Sequence, residues 1–144
     1  MPEQQNYQNH TRWYPLVHFV ISPILLFNLI WQIVRLFQEP TWDRGEFVLL
    51  SLGIALLSLA ARLQSLKAQD RVIRLEEKLR YKELLPTDLA QKASNLKTGQ
   101  IIALRFAPDE ELPDLVQKTL NGEFKTSKDV KLAVKNWRGD YLRV

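Results

Sequence analysis

Cysteine is absent from this chain of 144 residues, and methionine occurs once. Disulfides, thiolate nucleophiles and Cys-ligated zinc are thereby excluded, although the lack of cysteine fixes no compartment. Two histidines, His10 and His18, are too few to build a histidine metal site. The five glycines are dispersed and form no phosphate-cradling loop. Glu76-Glu77 and Glu110-Glu111 are sequence neighbours, and neighbours on a helix do not converge on a substrate. The serines lack a base with an orienting acid nearby. No catalytic residue, metal or cofactor is expected, and no strand periodicity is present. The predicted class is all-α.

Overall, 46% hydrophobic and 25% charged residues make an ordinary composition, with a net charge of +4. Their distribution is uneven. Residues 1–61 hold Arg12, Arg35 and Arg44 against four acids, and residues 62–144 hold the other 17 bases and 12 acids. A chain so divided does not read as a uniform soluble globule.

From Pro15 to Phe37, Arg35 is the only charged residue, and the run is long enough for the about 20 residues that a bilayer span needs. The first span is placed at 14–37. Trp13 and Tyr14 stand at one end, with Trp31 and Trp42 at or near the other, as in an interfacial aromatic belt. The competing reading is a buried helix of a soluble core. A helix apolar on nearly every face would need a large protein around it, and the polar remainder does not supply one. A second run, Phe47 to Ala61, reaches span length at 47–66 if Arg62 snorkels to the headgroups. Pro40 and Gly45 mark the break, so 38–46 is the external loop of a two-helix transmembrane hairpin. Residues 1–13 form an N-terminal tail. Seven bases between Arg62 and Lys82 set the orientation, with both termini cytoplasmic.

His18, Ser22, Asn28, Gln32 and Arg35 fall on one arc of the first span, while Ser51, Ala55, Ser58 and Arg62 repeat on one narrow face of the second. With the centre of the 38–46 loop as pivot, Gln32 should lie level with Ser51 and Asn28 with Ala55. Packing of these polar and small faces is the first reading; a partner membrane protein or a proton path through His18 compete with it. Pro23, internal to the span, should kink it.

The second helix should continue into the cytoplasm over 67–85, with Asp70–Arg74 and Glu76–Arg80 as i,i+4 pairs. Val72, Leu75 and Leu79 make a stripe too short in heptads to be read as a coiled coil. A small helical domain follows at 86–144, with helices from Thr87 or Asp88 to Ser94, Gly99 to Phe106, Pro108 to Leu120, and Lys128 to Trp137. Arg71, Arg74, Lys128, Lys131, Lys135, Trp137 and Arg138 are candidates for lipid or partner contact. Nucleic acid is disfavoured because no recognition motif is present, and no small-molecule substrate is evident. Arg138-Gly139-Asp140 spells an integrin-binding tripeptide by coincidence.

The segments Gln5-Asn6-Tyr7-Gln8-Asn9-His10, Leu29-Ile30-Trp31, Gln69 to Glu77, Ile102 to Ala107 and Lys135-Asn136-Trp137-Arg138 together resemble a small uncharacterised bacterial family, a domain of unknown function with two predicted spans. The resemblance covers the whole chain. It implies a protein of the bacterial inner membrane and adds no activity. Some relatives are labelled transporter permeases, but two spans form no transport path alone. The function expected is that of a non-catalytic accessory or scaffolding membrane protein, which meets the lipid bilayer and a protein partner or itself. An oligomeric transporter or channel subunit and an anionic-lipid sensor are the alternatives.

Overall fold

The computed structural model describes residues 5–10 and 13–141; Arg12, the base of the tail, lies outside them. Among the described residues every regular element is a helix, and there is no strand. It divides into two compact units. One is Trp13–Lys67; the other joins the residues before Trp13 to those from Ala68 onward.

The first unit is a helical hairpin that opens on a π-helical segment, Leu16–Ile21, followed by α1 (Ser22–Gln38). Pro23 explains the sequence of turns. It has no N–H, and its ring would clash with the Phe19 carbonyl in a regular α turn. The backbone widens upstream instead: the Ser22 N–H and the Ser22 hydroxyl both donate to the Val17 carbonyl, the hydroxyl at 2.8 Å. What the sequence suggests as a kink at Pro23 is accommodated over six π-helical residues.

Glu39 precedes Pro40, which disfavours the α region, and its φ of −136° and ψ of 86° end α1. Thr41 then caps α2 (Trp42–Leu84): its hydroxyl accepts the Arg44 N–H at 3.4 Å and its carbonyl accepts the Gly45 N–H at 3.1 Å. The connection is therefore Glu39–Thr41, shorter than 38–46, because the polar run from Trp42 to Glu46 is the first turn of a helix. The pivot of the hairpin moves to Pro40. Arg35 and Arg44 both bond Glu39, at 3.5 and 3.1 Å. The helical run Leu16–Gln38 and α2 are long and apolar enough to cross a membrane. Because α2 runs unbroken for 43 residues, no break in the backbone falls at 66/67.

The second unit packs the end of α2 with α3 (Thr87–Ala93), α4 (Thr98–Leu104), α5 (Leu112–Leu120) and α6 (Ser127–Ala133). Helices of seven to nine residues cannot enclose a core by themselves. Ile73 and Tyr81 of α2, with Leu85 just beyond its end, therefore join Leu104, Phe106, Leu112, Val116 and Val130 in the buried set. The unit thus starts before residue 86 and includes the N-terminal segment, which is no free tail. The buried side of α2 is Ile73, Glu77, Arg80 and Tyr81; Val72, Leu75 and Leu79 remain exposed. Arg80 pairs with Glu77 and Asp109 rather than with Glu76.

Two helix ends differ from the sequence-based bounds. Pro108–Glu111 is a turn that delivers its carbonyl to the Glu111 and Leu112 N–H groups before α5 begins. At α6, Thr126 is the cap, exchanging side-chain and backbone hydrogen bonds with Asp129. The helix stops at Ala133, short of Trp137, because the Glu111 carboxylate takes the N–H groups of Lys135 and Asn136 at 3.0 Å each, and Val134 becomes extended.

Candidate functional site

Within the hairpin, the Ser51 hydroxyl donates to the Asn28 amide oxygen at 2.7 Å. Measured from Pro40, these positions are almost equally far along the two helices. The shorter connection thus replaces the pairings Gln32–Ser51 and Asn28–Ala55. Ser51 is buried; His18, Gln32, Arg35, Ala55, Ser58 and Arg62 are half-buried; Ser22 and Asn28 stay largely exposed. A groove of about 290 Å³ lies between the helices, lined by Val17, His18, Ser22, Leu25, Ser58 and Arg62 among others. His18 Nδ1 lies 2.9 Å from the Tyr14 carbonyl, to which it donates when protonated there. Its ring stands edge-on to Trp13 at 5.0 Å. No carboxylate lines the groove, so His18 has no acid there to exchange a proton with. Trp13, Tyr14 and Trp42 are exposed, Trp42 most of all. Trp31 lies about two turns inside the end of α1 and stacks on Phe27 at 6.3 Å.

The second unit holds a charge cluster that sequence reasoning missed. Arg80 is 9% exposed. It donates to Asp109 through Nε and Nη2, to the Ala107 carbonyl through Nη2 at 2.8 Å, and to Glu77 through Nη1 at 3.3 Å. Glu77 also faces Arg138 at 3.8 Å. Burial pushes the Glu77 carboxyl up, and the pull of Arg80, Arg138 and Arg105 only partly offsets this. Arg105 pairs with Asp140 at 3.1 Å and lies over the Phe106 ring. The cleft between these groups encloses about 790 Å³. Of the carboxylates that line it, Glu77, Asp109 and Asp140 are tied to guanidinium groups. The arrangement serves to lock segments together.

The N-terminal segment closes the lock. The Gln5 side chain, 5% exposed, donates to the Asp140 carbonyl at 3.2 Å and accepts the Asp140 N–H at 2.8 Å. Asn6 and Asn9 exchange side-chain bonds with the backbone between them and form a turn. That turn presents His10 to Tyr7, Phe106 and Trp137, with ring centroids 5.6–5.8 Å away. Nδ1 of His10 lies 2.7 Å from the Tyr7 carbonyl and Nε2 lies 3.0 Å from Lys131 Nζ. An ammonium has only protons to give, so Nε2 accepts and Nδ1–H donates. The only cue in sequence was the polar motif from Gln5 to His10, which has no hydrophobic periodicity to read.

Of the basic candidates, Lys131 and Arg138 are thus engaged within the chain. The Arg138 N–H also donates to the Phe106 carbonyl at 2.8 Å, so the Arg-Gly-Asp tripeptide is part of the lock. Trp137 packs on Phe106 at 4.7 Å. Arg71, Lys128 and Lys135 are exposed and Arg74 half-buried. Among the described residues no group of three or more His, Asp or Glu could hold a metal ion.

No curated protein and no solved structure matches the chain. A family model does, over residues 1–144. The hairpin, the charge cluster and the N-terminal segment all fall within that match, and the chain belongs to the family of unknown function DUF6526.

Proposed function

We propose that this chain is an integral membrane protein whose hairpin, Trp13–Lys67, crosses the bilayer twice and carries a non-catalytic helical unit on the cytoplasmic side, where it acts as an accessory or scaffolding subunit. The observation that supports this reading is the outer surface of the hairpin. Phe19, Phe27, Phe37, Leu49 and Leu57 are between 65% and 84% exposed, and in the apolar window of the first helix no residue is buried. A soluble monomer rarely exposes a contiguous apolar patch beyond a few hundred Å². Polar contacts in the hairpin are turned inward or placed at its ends, as a lipid solvent requires.

The distance between the polar ends agrees. From Gln38 to His18, and from Trp42 to Arg62, about twenty helical residues at about 1.5 Å each cover about 30 Å, the thickness of a hydrocarbon core. Gln5 and His10 bond to the C-terminal residues Asp140 and Lys131, which is consistent with an even number of crossings. The excess of Lys and Arg after Arg62 supports a cytoplasmic location for that side, and the resemblance to bacterial two-span proteins supports the inner membrane. A scaffolding role is supported by the second unit, where Arg80, Glu77, Arg105 and Asp140 tie its own segments together.

The test uses the absence of cysteine. Single cysteines at Asp43 and at Lys92 are labelled with a membrane-impermeant maleimide in intact cells and after lysis. The expected result is a protein that resists alkaline carbonate extraction, labelled at Asp43→Cys in intact cells and at Lys92→Cys only after lysis. Extraction into the soluble fraction would overturn the reading.

A further inference from the structure

We infer that α2 pairs with α2 of a second copy as a parallel two-stranded coiled coil, through Val72, Leu75 and Leu79. These three side chains are 55%, 61% and 52% exposed. At about 100° per residue they lie roughly 170° around the helix from the buried side formed by Ile73, Glu77 and Tyr81. The same helix is therefore amphipathic twice: one apolar face belongs to the core of its own unit, and the other is exposed, with Leu79 at the edge of the cleft that Arg105, Arg138 and Tyr141 also line. Spacings of three and four residues are the a, d, a positions of a heptad. Ser65 and Ala68 continue that spacing toward the hairpin with small, exposed side chains, and Lys82 ends it.

The flanking charges identify the occupant. With Val72 and Leu79 at a, the g positions are Arg71 and Lys78, and the e positions are Glu76 and Glu83. In a parallel homodimer each g residue meets the e residue five positions later on the partner strand, which pairs Arg71 with Glu76 and Lys78 with Glu83. Every flanking contact is then attractive. An antiparallel pair would set bases against bases and acids against acids, so the pattern discriminates against that arrangement. Among the described residues none of these four charges makes an ion pair inside its own chain; Arg80, which could have taken Glu76, is held by Glu77 and Asp109. The parallel sense rests on the membrane reading: two copies inserted the same way in one bilayer present their α2 helices side by side in the same direction. Shared insertion also raises the effective concentration of a seam this short.

The experiment places single cysteines at Val72, Leu75 and Leu79 in the otherwise cysteine-free chain, oxidises isolated membranes, and uses exposed Lys92→Cys on α3 as control. Disulfide-linked dimers are expected at the seam positions and not at residue 92. In the Leu75→Cys background, K78E should lower the dimer yield about fivefold, and K78E/E83K should restore it. Equal crosslinking at residue 92, absence of a seam crosslink in membranes that hold the protein, or failure of the double variant to recover would overturn the proposal while leaving the membrane reading intact. If the chain is found in the soluble fraction, the membrane reading fails, and the same comparison made on that fraction decides the seam.

Discussion

Asn28 and Ser51 join the two hairpin helices through a 2.7 Å hydrogen bond, and Ser51 is the one residue of the hairpin that is buried. The bond reports the register, since it places the pivot at Pro40. Ser51→Ala should remove about 0.6 kcal/mol, the typical size of an interhelical bond in a membrane. Unfolding of the detergent-solubilised protein by added SDS measures it. A loss above about 2 kcal/mol would show that Ser51 does more than bond Asn28.

Tyr81 is fully buried, and its hydroxyl has no hydrogen-bond partner. Burial, reinforced by the Glu77 charge, strongly disfavours its ionised form. A buried hydroxyl without a partner costs about 1–3 kcal/mol. Tyr81→Phe should therefore leave stability unchanged or raise it by up to that amount, whereas Tyr81→Ala should cost about 3–5 kcal/mol through the cavity it opens. Thermal melts of the pair distinguish the two terms; destabilisation in Tyr81→Phe would reveal a bonded hydroxyl.

Arg80 ties α2 to the segment that carries Ala107 and Asp109, and its replacement by Met should cost about 3 kcal/mol or more, because Glu77 would stay buried with only the more distant Arg138. Replacing Glu77 by Gln in the same chain should recover part of that loss. Denaturant melts of the single and double variants give the coupling between the two sites.

Two carboxyls give the stability opposite pH dependences. Glu77 is raised by burial, so its contribution is complete below about pH 4.5 and is lost as pH rises through its folded value. At Glu111 a slight burial acts upward, but the N–H donors of Lys135 and Asn136 outweigh it and hold the carboxyl low. Its contribution is present above about pH 4.5 and is lost as pH falls through the lowered value. Stability measured against pH should lose its alkaline-side decline in Glu77→Gln and its acid-side decline in Glu111→Gln. Parallel curves for the two variants would contradict both assignments.

The long apolar helices were legible because their composition needs no partner to be read. The length of the connection was not: Trp42-Asp43-Arg44-Gly45-Glu46 looks like a loop by polarity, yet Thr41 makes it a capped first turn. The end of α6 is set by Glu111, 24 residues away in sequence, and no local pattern carries such a signal. On α2 the sequence pairs Arg80 with Glu76 at i,i+4 spacing; the partner that lets Arg80 go inside, Asp109, comes from a distant turn.

The bond between Gln5 and Asp140 spans 135 positions, and this has a consequence for biosynthesis. The segment around Gln5 cannot dock until residues 135 positions later have been made. Under the proposed topology, a chain that inserted only one of its two apolar helices would leave Gln5 and Asp140 in different aqueous compartments, and the lock could not close. Closure would then report correct insertion.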